Sequence, residues 1–199
     1  MVYIPPPHLA IPTRPSYAET YAHILATHRR SPLTSASSVI ILVAADVDAL
    51  CAARMLAELF KQDDVMYRII PVSGEANLEK KRQELLNYTE VSGLVFVVRG
   101  RRALISHSKL HTIIALNMGS YIELVRDDWF GSFNPQVRLH VIDSGRPHCL
   151  ENLFTPGENG NRIILWDDGG VEELEDVKIA WEAMRVRISG LIPVFPLKD

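Results

Sequence analysis

Short runs of apolar residues alternate along the chain with longer amphipathic segments. Residues 39–44, Val-Ile-Ile-Leu-Val-Ala, form a continuous run that is typical of a strand buried on both faces of a parallel sheet. Further strands are predicted at 65–72, 112–116, 137–142 and 162–166. Because helical patterns separate the strands, we expect right-handed crossovers. The predicted fold is α/β, with a mostly parallel sheet of five or slightly more strands flanked by helices.

The helical patterns also predict which side chains face the sheet. Ser16 is placed as the N-cap of a first helix. The helix at 48–60 is expected to turn Ala49, Ala52, Leu56 and Leu59 inward, with Cys51 also buried against the sheet. The last helix carries one apolar stripe, formed by Val171, Leu174, Val177, Trp181, Met184 and Ile188.

Domain boundaries follow from proline content and from breaks in this rhythm. Residues 1–15 contain five prolines and are predicted to form an irregular arm. Residues 16–190 then form one α/β domain. Residues 91–109 interrupt it with a basic run at Arg99, Arg101 and Arg102, and we interpret them as an insertion. A retained intron is one alternative origin for that segment.

Composition narrows the class of protein. Hydrophobic residues make up 47% and charged residues 23%, which predicts a packed globular chain rather than a disordered one. The net charge of −3 disfavours a strongly cationic nucleic-acid binder. No apolar run approaches the roughly 20 residues that span a bilayer, so we expect no membrane partner. Two cysteines form no disulfide framework and favour a reducing, intracellular compartment.

Polar and acidic residues follow the carboxyl ends of the predicted strands, where open α/β sheets bind their ligands. In chain order these residues are Asp46 and Asp48, Asn117, Asp143 with Ser144 and Gly145, and Asp167 with Asp168. Carboxylates that converge at one rim suit Mg²⁺ or Mn²⁺. The alternative is that these residues cap helices and fill turns, as Asp, Asn, Ser and Gly commonly do.

The same positions carry a family resemblance. Residues 44–52, Ala-Ala-Asp-Val-Asp-Ala-Leu-Cys-Ala, resemble the opening motif of the DHH phosphoesterases, the RecJ nuclease superfamily. The chain is more similar still to a eukaryotic branch of it, the cell division cycle protein 45 family. Its patterns are matched by Pro-Val-Ser-Gly at 71–74, Asn-Met-Gly at 117–119, Asp143 followed by Arg146-Pro147, and Asp167-Asp168.

The resemblance covers residues 16–190 except the insertion, and makes this segment a DHH-like domain. Members of the family are several times longer than this chain. The chain therefore resembles their N-terminal portion, and residues 191–199 are expected to extend toward the remainder.

The resemblance also implies that the site is degenerate. Active DHH enzymes have Asp where this chain has Asn117, and two histidines where it has Ser144 and Gly145. Asp46, Asp48, Asp143 and Asp168 are then a vestigial acidic site, with no catalytic residue, bound metal or cofactor. Arg146 is expected to bridge carboxylates that a cation would otherwise hold.

The function implied is that of a non-catalytic scaffold. By resemblance, it belongs to a nuclear DNA replication factor, active in initiation and elongation, that helps assemble and activate the replicative helicase. The implied partners are the minichromosome maintenance hexamer and the GINS complex, with single-stranded DNA as a further candidate. The first alternative is a metal-dependent phosphoesterase or single-strand exonuclease that tolerates altered ligands. The second is an α/β domain that binds a small ligand at the same rim.

Overall fold

The computed structural model describes residues 2–9, 12–30, 38–89, 94–98, 101–105, 110–120, 122–170 and 174–191. The strands are β1 (Val2–Ile4), β2 (Val39–Ala44), β3 (Tyr67–Val72), β4 (Leu94–Val98), β5 (Arg101–Ile105), β6 (Thr112–Leu116), β7 (Arg138–Ile142) and β8 (Ile163–Trp166). The helices are α1 (Tyr17–Arg29), α2 (Val47–Gln62), α3 (Glu75–Thr89), α4 (Leu150–Phe154), α5 (Glu158–Arg162) and α6 (Glu175–Leu191), with a short 3₁₀ turn at Pro7–Leu9.

Six of the strands form one parallel sheet in the order β1-β8-β7-β6-β2-β3. The predicted α/β class and parallel sheet are confirmed. Strand β2 lies inside the sheet, where Ile41 pairs with Ile69 of β3 and with Ile114 of β6. All six residues of β2 are buried, as its continuous apolar run predicts.

The first strand corrects the predicted irregular arm at residues 1–15. Val2–Ile4 pairs in parallel with β8, and Ile4 is fully buried. The prolines begin only at Pro5, so the apolar residues before them are free to extend the sheet. An edge strand next to proline is compatible with sheet pairing, because proline's missing N–H lies beyond the ladder.

Helix α1 begins as predicted, with Ser16 and Glu19 forming a reciprocal capping box. The inward face of α2 differs from the prediction. Its buried side chains are Ala49, Ala53, Ala57 and Phe60. Leu59 is 45% exposed and Cys51 is exposed, so neither is buried against the sheet as predicted. Small alanines face the sheet because they let the helix backbone approach it closely.

The predicted apolar stripe of the last helix is only partly buried. Trp181 is 5% exposed, whereas Val177 and Met184 are 38% and 55% exposed. Val171 and the side chain of Ile188 lie outside the described residues. Residues 192–199, most of the predicted C-terminal extension, also lie outside them.

Within the predicted insertion at 91–109, β4 and β5 pair with each other in an antiparallel hairpin that forms a sheet of its own. The remaining residues of that segment lie outside the described residues. The insertion itself stays a prediction. In the part of the chain that is described, no helix has the length and apolar character needed to span a membrane.

Candidate functional site

The carboxyl ends of β2, β6, β7 and β8 bring most of the predicted polar residues to one rim of the sheet. In the sheet, β2 lies between β3 and β6. The chain passes from β2 to β3 on one side of it, and later returns to form β6 on the other side. Ligand sites of open α/β sheets lie at such a switch in strand order. Asp46 follows β2 and Asn117 follows β6, so these two residues lie at the switch.

Asp46 caps the helix that follows it. Its Oδ1 accepts a hydrogen bond from the backbone N–H of Ala49 at 2.7 Å and a second from the Asn117 side-chain amide at 3.0 Å. A carboxylate at a helix N-terminus is stabilised by the helix dipole, by about 0.3–1 kcal/mol. The helix cap that we considered as an alternative for Asp46 is therefore present.

Asn117 connects the ends of three strands. Its Nδ2 donates to Asp46, and its Oδ1 accepts from the backbone N–H of Ser144 at 3.2 Å and from the Ser144 hydroxyl at 3.4 Å. Its φ of 51° lies in the left-handed region, which asparagine tolerates better than most residues. A neutral amide serves here as donor and acceptor at once, which a carboxylate cannot do.

Asp143 is buried and held by backbone groups. Its Oδ2 accepts from the N–H of Ser120 at 2.6 Å, and its Oδ1 accepts from the N–H of Gly145 at 2.7 Å. Both oxygens of this carboxylate are thus used to fix the loops after β6 and β7. Asp48, by contrast, is exposed on the first turn of α2, and its side chain takes no part in the hydrogen bonds described above for Asp46, Asn117 and Asp143.

Arg146 does not bridge the carboxylates of Asp46, Asp48 and Asp143, so that prediction is wrong. Its Nη2 lies 2.5 Å from both carboxylate oxygens of Asp168, which follows the neighbouring strand β8. Its Nη1 donates to the main-chain carbonyl of Gly145 at 2.9 Å. The Arg146 and Asp168 side chains are 39% and 62% exposed, so solvent screens this ion pair.

The contrast between these two carboxylates leads to a prediction. Asp143→Asn should lower the free energy of unfolding by about 1–3 kcal/mol, because an amide NH₂ would face a backbone donor in a buried site. Arg146→Ala should cost less than about 1 kcal/mol, as expected for an exposed ion pair. Urea denaturation of both variants measures the difference, and a larger loss for Arg146→Ala would contradict these roles.

Gly145 has no room for a side chain. A Cβ there would lie 2.4 Å from the Ser120 hydroxyl oxygen and 2.9 Å from Asp143 Oδ1. Both distances are too short for any real carbon, so Ser120 or Asp143 would have to move. A histidine at this position is therefore incompatible with the observed arrangement of the rim.

We expect Gly145→Ala to lower the free energy of unfolding by about 1–3 kcal/mol, the usual cost of forcing extra atoms into a packed site. Gly170→Ala is the matched control, because its Cβ would come no closer than 3.4 Å to any neighbour. Thermal denaturation of the two variants tests this. Equal melting temperatures would show that the rim relaxes around the added methyl group.

Two features of the rim are not among the predicted site residues. Buried Asn152 donates to the carbonyls of Gly119 and Ile122 and accepts from the N–H of Leu124, so it holds the loop after β6 in place. Its one signal is a polar residue inside the short apolar pattern of α4. The second feature is His148, which has one ligand atom within 4.8 Å of ligand atoms of Asp167 and Asp168.

Paired divalent metals, which the DHH resemblance implies for active enzymes, do not fit the residues present. Asp46 Oδ1 and both oxygens of Asp143 already accept hydrogen bonds, and Asn117 supplies an amide to Asp46. The oxygens of Asp168 face Arg146. Burial, and after it the charge of Arg146, lower the pKa of His148.

The fold and the rim together define a parallel α/β domain with acidic and amide side chains at the carboxyl ends of its strands. A family model described as CDC45 matches residues 39–188, which is more than half of the chain. The chain belongs to the CDC45 family.

Relatives in several eukaryotes agree with this assignment. The cell division control protein 45 homolog of Homo sapiens is 47% identical over 140 residues, 70% of this chain and 20% of that protein. The homolog of Schizosaccharomyces pombe is 32% identical over 171 residues, 85% of this chain and 22% of that protein. The chain therefore spans about a fifth of the length of these relatives.

A solved structure supports the fold alone. The crystal structure of CDC45 from Entamoeba histolytica matches with a TM-score of 0.53 and 18% sequence identity. The match covers 76% of this chain and 24% of that one.

Proposed function

We propose that this chain acts as a non-catalytic scaffold domain of a DNA replication factor. One observation carries the proposal: the rim carboxylates serve as hydrogen-bond acceptors for the protein's own backbone and side chains. Asp46 caps α2 and binds Asn117, while Asp143 accepts two backbone N–H groups. These oxygens hold loops together. The carboxylates therefore have a structural role here, whereas in metal-dependent enzymes such carboxylates bind metal ions.

The proposed partners come from the family and not from any surface of the rim. We propose that the domain contributes to assembling and activating the replicative helicase in the nucleus, together with the minichromosome maintenance hexamer and the GINS complex. Single-stranded DNA is a further proposed partner of the longer protein. This chain has 21 basic and 24 acidic residues, so any DNA contact would need a local basic surface.

One observation favours the alternative of a metal-dependent phosphoesterase or exonuclease. His148, Asp167 and Asp168 hold ligand atoms within 4.8 Å of one another, at the rim where such enzymes bind metal. Against it, Asp168 pairs with Arg146, and Gly145 leaves no room for an imidazole. The alternative would require both of these contacts to rearrange.

A nuclease assay separates scaffold from enzyme. We expect no cleavage of single-stranded DNA or short oligonucleotides above background in Mn²⁺, and the same background for Asp46→Asn. Asparagine is as good an N-cap as aspartate, so this variant removes the charge while keeping the helix cap. Elemental analysis of the dialysed protein should find no two equivalents of Mn or Zn. Cleavage that Asp46→Asn abolishes would overturn the scaffold proposal.

Co-purification tests the partners. A tagged copy of the chain, and of the longer protein that contains it, should recover helicase subunits from nuclear extract, while the tag alone should not. Recovery by the longer protein only would show that the partners bind elsewhere in that protein. Recovery by neither would overturn the proposed role in helicase assembly.

A further inference from the structure

Two cavities adjoin beside the loop that follows β6. The smaller, of about 240 Å³, lies between α3 and residues 122–129. The larger, of about 580 Å³, lies between residues 123–131 and residues 151–159. Glu123 and Arg126 line both, so the two form one continuous surface, which we call the acidic double cavity.

The lining of this surface is strongly acidic. Glu75, Glu79, Glu123 and Asp128 line the smaller cavity, and the larger adds Asp127, Glu151 and Glu158. The lining has seven carboxylates and three arginines, so its net charge is −4. The arginines are Arg82, Arg126 and Arg185. The whole chain carries −3, so this one surface exceeds the acidic excess of the entire sequence.

Internal pairing leaves part of this charge unneutralised. Arg82 binds Glu79, and Arg126 binds Asp128. Within the described part of the chain, no ion pair or hydrogen bond is made by the side chains of Glu75, Glu123 and Glu158. Glu75 lines the smaller cavity, Glu158 the larger one and Glu123 both, so these three carboxylates are available to a cation from outside.

Trp129 adds an independent indication of a ligand. The side chain lines the smaller cavity and is 7% exposed, yet its indole N–H has no acceptor among the described residues. A buried donor without a partner is uncommon in folded proteins. The N–H is shielded from solvent, so a small opening of the cavity wall would be needed for an acceptor to reach it.

We propose that the acidic double cavity binds a segment of a protein partner that carries lysine or arginine. Its cationic side chains would meet Glu75, Glu123 and Glu158, and a main-chain carbonyl would accept from the Trp129 indole N–H. A nucleic acid does not suit this surface, because its phosphates would face a net charge of −4. The inference deepens the proposed scaffold function by assigning a surface and a class of partner to it.

A peptide titration tests the surface on the full chain. The probe is a fluorescent peptide of about ten alternating lysine and alanine residues, with a glutamate–alanine peptide and oligothymidine as comparisons. The lysine peptide should bind, and its affinity should fall as the salt concentration rises from about 50 to about 300 mM. The triple variant Glu75→Gln, Glu123→Gln, Glu158→Gln should bind about tenfold more weakly, as three partly exposed ion pairs allow.

The matched control removes three exposed carboxylates elsewhere, through Glu58→Gln, Asp64→Asn and Asp176→Asn. It should bind the lysine peptide like the parent, and both triple variants should keep the parent's melting temperature. In nitrogen–proton correlation spectra, the Trp129 indole signal, assigned with Trp129→Phe, should shift only on adding the lysine peptide.

Equal loss of binding in both triple variants, or an unmoved Trp129 signal, would overturn the proposed site. Stronger binding of oligothymidine than of the lysine peptide would assign the surface to nucleic acid instead. Failure here would leave helicase co-purification intact, whereas failure of co-purification with normal peptide binding would overturn only the proposed replication role.

Discussion

The Ile41→Asp variant is expected to lose a large part of the stability of the domain. Ile41 is fully buried in β2, between Ile69 of β3 and Ile114 of β6. An aspartate there would either hold an unpaired charge in the core or take up a proton in order to be buried. Leaving a charge uncompensated in a core costs about 3–5 kcal/mol, against a usual total of about 5–15 kcal/mol.

Ile69→Asp is the matched control for this variant. Ile69 is the paired neighbour on β3 but is 43% exposed, so its aspartate can remain hydrated. We expect it to cost about 1 kcal/mol, the span of strand preferences at partly exposed positions. Urea denaturation followed by circular dichroism measures both. Similar midpoints for the two variants would contradict the central position of β2.

Acidification is expected to destabilise the folded chain through two buried histidines. Burial, with the charge of Arg138 as a smaller contribution, lowers the pKa of His140 to about 3. Burial, followed by the nearby His28 and His23, lowers the pKa of His111 to about 4. His140 is held neutral in the fold, where its Nδ1 accepts a hydrogen bond from the Trp166 indole at 3.1 Å.

The direction of the change in stability with pH follows from proton uptake by the two histidines. Below about pH 6.5, the ordinary pKa of histidine, the unfolded chain binds protons at both residues and the folded chain does not. Stability is therefore full above about pH 6.5 and falls as the pH drops toward the folded pKa values. At about pH 5 each histidine should have cost about 2 kcal/mol, or about 4 kcal/mol together.

The measurement compares the parent chain with His140→Gln at about pH 7.5 and about pH 5. Glutamine does not titrate and can still accept from Trp166, so the variant should lose about 2 kcal/mol less on acidification. Carboxylates titrate alike in both proteins and cancel in the comparison. An identical loss in the two proteins would show that His140 does not drive the pH dependence.

The residues of the rim could be found in the sequence, but their pairing could not. Asp46, Asn117, Asp143 and Asp168 each follow an apolar run, which identifies them as strand-end residues. Arg146 lies three residues beyond Asp143, yet its side chain pairs with Asp168, 22 residues further along. Parallel strands bring residues distant in sequence to one edge, so proximity along the chain is a poor guide to contacts there.

The sequence by itself determined the α/β class, the inner position of β2 and the capped start of α1. Continuous apolar runs, helical periodicity and cap residues are local signals. Each acts through the backbone preferences of residues that are close together in the chain. Only the tertiary structure decided that Val2–Ile4 joins the sheet, that α2 turns its alanines inward and that Gly145 excludes any side chain. These three features depend on which surfaces meet and how closely they pack. The packing distance is set by atoms that are far apart in the chain.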